Sequence, residues 1–316
     1  MDLRQLRYFV QIADCGSFSR AAEMLRVAQP SLSQQIKSLE EELGVELFMR
    51  HARGVALTEL GLQFCDHARR LIQEADHARD SIRSQAASPS GRVSVGLPTS
   101  ACRGLSLPLF QALSQRLPHI RLHIVETMTG YLDELLRAGR LDVALLYDHK
   151  AFEHVAWTEM MAEELMLLGP PDGPLTGAAS VPFRQVFEQP LVLPGRPNVA
   201  RILVERLASR QDIEVAAMDC DSLPAIAQLV RFSGFHTILP HFALATEIER
   251  GEMAAIPIVD PAPSWRLSVV VSQRTLNPRG SDGVARVLAE VIADLVDRGV
   301  WRARLTAERP PGGRMR

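Results

Sequence analysis

Residues 17–39 read SFSRAAEMLRVAQPSLSQQIKSL, and they predict two short helices joined by a tight turn. Ser17 or Ser19 can cap the first helix, because a side-chain oxygen accepts from backbone N–H groups left free at a helix start. Ala21 and Ala22 are small enough for another helix to approach closely, with Met24 and Leu25 as apolar bulk. Pro30 suits the first turn of the second helix, where its missing N–H costs nothing. Beyond it Leu32, Ile36, Leu39 and Leu43 recur at helical steps and form one narrow apolar stripe. The opposite arc carries Ser31, Gln34, Lys37 and Ser38. Gln can pair bidentately with adenine, Ser can read a base edge or a phosphate, and Lys neutralises a phosphate. This is the layout of a helix-turn-helix whose second helix enters the DNA major groove. In isolation the stretch is also compatible with an ordinary amphipathic helix and a solvated polar face.

The following residues narrow that choice. Residues 45–58, VELFMRHARGVALT, place two short apolar runs around a basic turn containing Gly54. They predict a small β-hairpin, or wing, with Arg50 and Arg53 near its tip, where an arginine can reach the minor groove or a phosphate.

Together these segments resemble the DNA-binding domain of the LysR-type transcriptional regulators. The resemblance runs in order from MDLRQLRYFVQIADCGSFSRAAEML through AQPSLSQQIKSLEEELGVELFMR to RGVALTELG. The remaining length and its alternation of strands and helices fit the same family. The segments ETMTGYLDELLRAGRLDVALLYD and VSVGLP look most like its nitrogen assimilation control branch. The resemblance implies that Gln29, Pro30, Ser31, Ser33, Gln34 and Lys37 face double-stranded DNA and that Arg53 sits on the wing. Ala28 departs from the family, many of whose members carry a hydroxyl there. The resemblance also implies a regulator, activator or repressor, with RNA polymerase as a candidate partner.

Composition sets bounds. A chain of 316 residues that is 47% hydrophobic can build two or three structural units with sizeable cores. Its net charge of −2 excludes a broadly basic nucleic-acid coat. Acids and bases nearly balance in the first 58 residues as well, so the grip on phosphate must come from a few placed side chains. The acidic run Glu40-Glu41-Glu42 falls at the far end of the recognition helix. No apolar run is long enough to span a membrane and the N-terminus lacks a signal-peptide core, so a cytoplasmic protein without membrane contact is expected. Cys15, Cys65, Cys102 and Cys220 are scattered, with no C-x-x-C, so neither a metal nor a disulfide framework is expected. Cys102 merits attention because it falls in a predicted loop at a ligand cleft.

The expected organisation follows the chain: a winged helix-turn-helix over 1–58, a linker helix over 59–87, a hinge over 88–91, an α/β effector-binding domain over 92–301 and a disordered tail over 302–316. Thr58 can cap the linker helix. Its seam of Leu60, Phe64, Leu71, Ala75, Ala78 and Ile82 calls for a partner helix, so a homodimer is expected there and a homotetramer through the effector domains. After the hinge, predicted strands at 92–97, 121–126 and 142–147 alternate with helices at 105–116 and 131–138, which implies a mainly parallel sheet. Subdomain I is expected over 92–161 and 266–301, and subdomain II over 162–265. Two chain crossings leave a cleft between them, the periplasmic-binding-protein-like arrangement that the resemblance implies.

Ligands in open α/β sheets lie beyond the carboxyl ends of strands, at helix N-termini. The loops that qualify offer Thr99, Ser100, Thr129, Gly130, Asn198 and His236, with Arg196 and Arg201 to pair a carboxylate and Tyr147 and Phe235 as apolar walls. A small organic effector, an anionic metabolite, is the expected occupant. No cofactor, metal ligand set or catalytic residue is predicted. The chain holds no G-x-S-x-G, H-E-x-x-H, Walker A or G-x-G-x-x-G motif, and its histidines are scattered. The alternatives are an α/β binding-protein-like enzyme and a ligand-binding module without a DNA role.

Overall fold

The computed structural model describes residues 1–51, 54–83, 89–148 and 154–306, and they form two compact units, 1–87 and 88–316. In the first, α1 (Leu3–Cys15), α2 (Phe18–Leu25) and α3 (Gln29–Leu43) precede β1 (Phe48–His51), β2 (Gly54–Leu57) and the long α4 (Glu59–Arg83). Asp2 and Gln5 form a reciprocal cap on α1. Ser17 caps α2, which decides between the two serines considered. Ala28 precedes α3 without any side-chain cap.

The core of this unit centres on Phe9, wholly buried and 5.1 Å from the rings of both Phe48 and Phe64. Leu32, Ile36 and Leu39 supply the buried face of α3, while Leu43 is exposed. Met24 is 68% exposed and lies against the Cys15 sulfur at 3.5 Å, so it is not core bulk. Phe18, Ala21, Ala22 and Leu25 share the packed side of α2, and the 100° step carries Met24 off it. Glu40 is turned inward: its Oε1 accepts from the backbone N–H of Leu47 at 2.8 Å and of Phe48 at 3.2 Å. That contact ties the end of α3 to the start of the hairpin. Thr58 Oγ1 accepts from Gly61 N at 2.9 Å and donates to Glu46 O at 2.8 Å. A side chain at Gly61 would meet the Leu47 carbonyl oxygen at 2.1 Å, so only glycine lets α4 start this close to the hairpin. Beyond that point α4 buries Cys65 and Ala68 on α1, and Leu60, Leu62 and Leu71 are exposed.

The second unit opens with β3 (Gly91–Pro98), α5 (Thr99–Arg116), β4 (Ile120–Thr127), α6 (Thr129–Arg137), β5 (Val143–Tyr147) and β6 (Val155–Gly169). It continues through β7 (Val181–Pro182), α7 (Phe183–Val186), β8 (Leu191–Leu193), α8 (Val199–Ser209), β9 (Ala217–Asp219) and α9 (Leu223–Ser233). It closes with β10 (Thr237–Pro240), a 3-10 turn at 241–244, α10 (Ala245–Glu249), β11 (Ala254–Val259), β12 (Ser264–Ser272), α11 (Pro278–Asp297) and β13 (Arg304–Leu305). The main sheet runs β4-β3-β5-β12-β6-β11-β7, with β10 and β13 also paired to β6.

The sheet is mixed, not mainly parallel. β3, β4 and β5 are parallel, but β12 is antiparallel to both β5 and β6. β6 carries the chain out of the first half of the unit and β12 brings it back, so their pairing has to be antiparallel. β6 pairs with β12 as far as Glu164 and with β10 and β11 from Leu165 onward. The expected helix at 105–116 starts earlier, at Thr99, so Cys102 lies buried within α5 and not in a loop. Burial raises its thiol pKa and its sulfur contacts Ser106 Oγ at 3.2 Å, which makes it a poor nucleophile.

Both expected ends of the unit are tied down further than the sequence indicated. Gly91 belongs to β3, and the Ser90 carbonyl accepts from Asn277 Nδ2 at 2.7 Å. Residues 302–306 add β13 to β6 because Trp301 is fully buried and stacks on Phe242 at 3.9 Å. Ala52, Arg53, the stretch 84–88 and the rest of the tail lie outside the described residues. The same holds for the side chains of Arg50, Ala78 and Ile82.

Candidate functional site

Two regions of the molecule carry the predicted site residues. The first is α3. Its inward face is sealed by Leu32, Ile36 and Leu39, so helical periodicity turns the intervening residues outward. Gln29, Pro30, Ser31, Gln34 and Lys37 are exposed and Ser33 is half-buried. Gln29 Nε2 donates to Ser33 Oγ at 2.8 Å, which orients both side chains one helical turn apart. Lys37 lies 3.5 Å from Glu41, an exposed pair that holds the ammonium only weakly. Of the acidic run, Glu40 is used internally, Glu41 meets Lys37 and Glu42 pairs with the N-terminal amine.

The N-terminus of α3 therefore presents uncapped backbone N–H groups, two amides and a hydroxyl on one surface. Uncapped N–H groups and the helix dipole favour a phosphate there. A shallow concavity bounded by Pro30, Ser33, Gln34, Lys37 and Phe18 continues that surface. Arg50 lies on β1, opposite Val55 in the hairpin.

The second region is a cleft in the second unit. Five of the ten predicted effector residues line it: Thr99, Ser100, Thr129, Tyr147 and Asn198. Thr99 and Ser100 begin α5, Thr129 begins α6, and Asn198 caps α8 by accepting from Ala200 N at 2.9 Å. Tyr147 donates to or accepts from Ser100 Oγ at 2.9 Å and stacks on Trp265 at 3.9 Å. Burial, reinforced by the Glu163 carboxylate, pushes its phenol well above the ordinary value, so Tyr147 stays neutral.

The other five are elsewhere. Arg201 is locked on its own helix, its Nε 2.6 Å from Glu205 and its Nη1 2.7 Å from Asp219. Arg196 also pairs with Glu205, at 2.6 Å. For Arg201 an acid one helical turn ahead is a closer partner than a ligand across a cleft, and the same acid holds Arg196 from before the helix. His236 is buried, its ring where a side chain on Gly169 would stand. Phe235 packs into the core beneath α9, and Gly130, though on α6, is absent from the cleft wall.

Sequence reasoning missed Asp221 and Trp265. Asp221 Oδ1 accepts from Gly195 N at 2.9 Å at the cleft edge. Trp265 forms a wall and donates from Nε1 to Glu163 at 2.9 Å, while Trp301 Nε1 donates to the other oxygen of Glu163 at 2.6 Å. Glu163 is wholly enclosed, and burial raises its pKa to about 7 against the pull of both indole donors. A charged residue in the middle of an apolar strand was the available signal for Glu163. Asp221 had none, because acids are common ahead of helices.

A model of the bacterial regulatory helix-turn-helix proteins of the lysR family matches residues 3–62, and one of the LysR substrate binding domain matches residues 86–297. The chain belongs to the LysR family of transcriptional regulators. It is a DNA-binding regulator with an effector-binding domain. Among its relatives is the nitrogen assimilation regulatory protein nac of Klebsiella aerogenes, 31% identical over 94% of this chain and 96% of that one. Full-length OxyR from Pseudomonas aeruginosa, solved as a cysteine-to-aspartate variant, superposes with a TM-score of 0.70 at 27% identity, covering 98% of this chain and 99% of that one. Full-length CbnR, solved with its target DNA, gives a TM-score of 0.71 at 24% identity, covering 93% and 99%, a likeness of fold. These LysR relatives are regulators. No helix among the described residues is long and apolar enough to cross a membrane.

Proposed function

We propose that this LysR-type regulator reads DNA with the exposed face of α3 and is controlled by a small organic metabolite in the cleft of its second unit. The observation that carries the first half is the division of α3 into a sealed apolar face and an outward face of Gln29, Ser31, Gln34 and Lys37 beside an uncapped N-terminus. In that reading Ser31 and Gln34 contact base edges. Gln29, Pro30, Ser33, Lys37, Arg50 and Arg53 set the fit to backbone and minor groove. CbnR, which shares the fold, was solved on its target DNA.

The exposed Leu60 and Leu71, eleven residues apart and so on one face of α4, support dimerisation through that helix, since apolar side chains left bare on a long helix invite a second copy. Two dimers then give a tetramer whose paired heads span a long operator. Closing the cleft alters the angle within the effector domain and so the spacing of the heads. The protein works in the cytoplasm and, in this reading, catalyses nothing.

Gel-shift titration of the promoter region and of random duplex tests the head. Replacing Gln34 by Ala should weaken specific binding by about 1–3 kcal/mol and leave random-duplex binding unchanged. An equal loss on both DNAs would make Gln34 a backbone contact only. Equal retardation of both DNAs by the unaltered protein at physiological salt would overturn sequence-specific reading.

A further inference from the structure

Among the described residues the cleft wall carries no basic side chain. Both arginines near it are paired to Glu205, and the ionisable groups on its wall are Asp221 and the neutral Tyr147. Its two lips differ in electrical character. On one lip α5 and α6 begin after Pro98 and Met128, neither of which supplies a side-chain cap. Their first-turn N–H groups and the hydroxyls of Thr99 and Thr129 therefore offer donors at the cleft, at the positive end of each helix.

On the opposite lip α8 and α9 begin with Asn198 and Ser222, which cap their own helices at Ala200 and Ala225. Those N-termini have already spent part of their donor capacity. What this lip adds is the Asp221 carboxylate. One oxygen satisfies the buried Gly195 N–H, and no cationic side chain among the described residues pairs with the other. Leu223, Ile226 and Leu239 give the space between the poles an apolar floor.

We infer that the effector is a zwitterion carrying both an ammonium and a carboxylate, of the size and kind of a free amino acid. This rests on the reading of the cleft as the effector site and replaces the simple anion expected from sequence. The carboxylate takes the donors at the starts of α5 and α6, and the ammonium takes the open oxygen of Asp221. The side chain lies on the apolar floor. A plain anion would leave Asp221 facing like charge. A plain amine would leave the donor lip unmatched.

The test is calorimetric titration of the full chain with each standard L-amino acid, then with the 2-oxo acid and the decarboxylated amine of the best binder. The amino acid should bind roughly tenfold or more tighter than either analogue. D221N keeps an oxygen for Gly195 N–H but loses the charge. In it the advantage of the amino acid over the 2-oxo acid should fall to within about twofold. A 2-oxo acid that binds the unaltered protein as well as its amino acid overturns the zwitterion and leaves the effector cleft standing. Binding by none of the compounds overturns both. The comparison of ligands on the unaltered protein decides the matter even if D221N does not fold.

Discussion

Single side chains set much of this molecule's chemistry, and Glu163 is the clearest case. An acid whose folded pKa lies near 7, above its unfolded value of 4.5, holds its proton more tightly in the native state. Its contribution is present below about pH 4.5 and is lost as pH rises towards 7. Stability of the second unit should fall by on the order of 3 kcal/mol across that window on this account. His241, buried with both ring nitrogens unbonded and its pKa lowered to about 4, acts oppositely and loses stability as pH falls below about 6.5.

The difference between the unaltered protein and Glu163→Gln isolates the carboxylate. Urea unfolding followed by tryptophan fluorescence at pH 5 and 8 should show the variant lacking the alkaline loss, and parallel pH curves would contradict the assignment. Glu40 is a second such residue. Glu40→Ala frees the N–H groups of Leu47 and Phe48 and should lower the stability of the first unit by about 1–3 kcal/mol in denaturant titration.

Elements were legible in the sequence where local pattern and packing agree. The apolar stripe of α3 and the glycine-containing basic turn of the hairpin needed no long-range information. Where distant residues decide, the sequence was silent. The start of α5 was misplaced because Thr99 and Ser100 look like loop residues until β3 delivers them to the cleft. The terminal strand β13 exists because β6 offers it an edge. Arg196 and Arg201 look like effector ligands until Glu205 is seen beside both. Gly61 shows the same dependence on a distant partner. Gly61→Ala gains about 1 kcal/mol of helix propensity, but its methyl group meets the Leu47 carbonyl. A net destabilisation of about 1–2 kcal/mol is expected by thermal unfolding, and a more stable variant would show that the start of α4 can shift.

For the whole molecule the family assignment was readable because the ordered head motifs and the βα alternation occur together, and each alone is common. The identity of the effector was not readable, since it depends on which loops share a cleft. Control by cleft closure predicts that a saturating bound amino acid changes the small-angle scattering profile of the full chain. An identical profile at proven saturation would remove closure as the route to the DNA-binding heads.

Glu163 and Trp301 also impose an order in time. The donor that completes this buried carboxylate is made 138 residues after it. At about 10 residues per second the nascent chain waits roughly 14 s for that indole. Through that interval the glutamate sits in a half-built wall, solvated and ionised in neutral surroundings. The proposed effector cleft, whose Trp265 leans on the same carboxylate, therefore matures only once Trp301 has been made, and a chain caught before that point has no finished cleft.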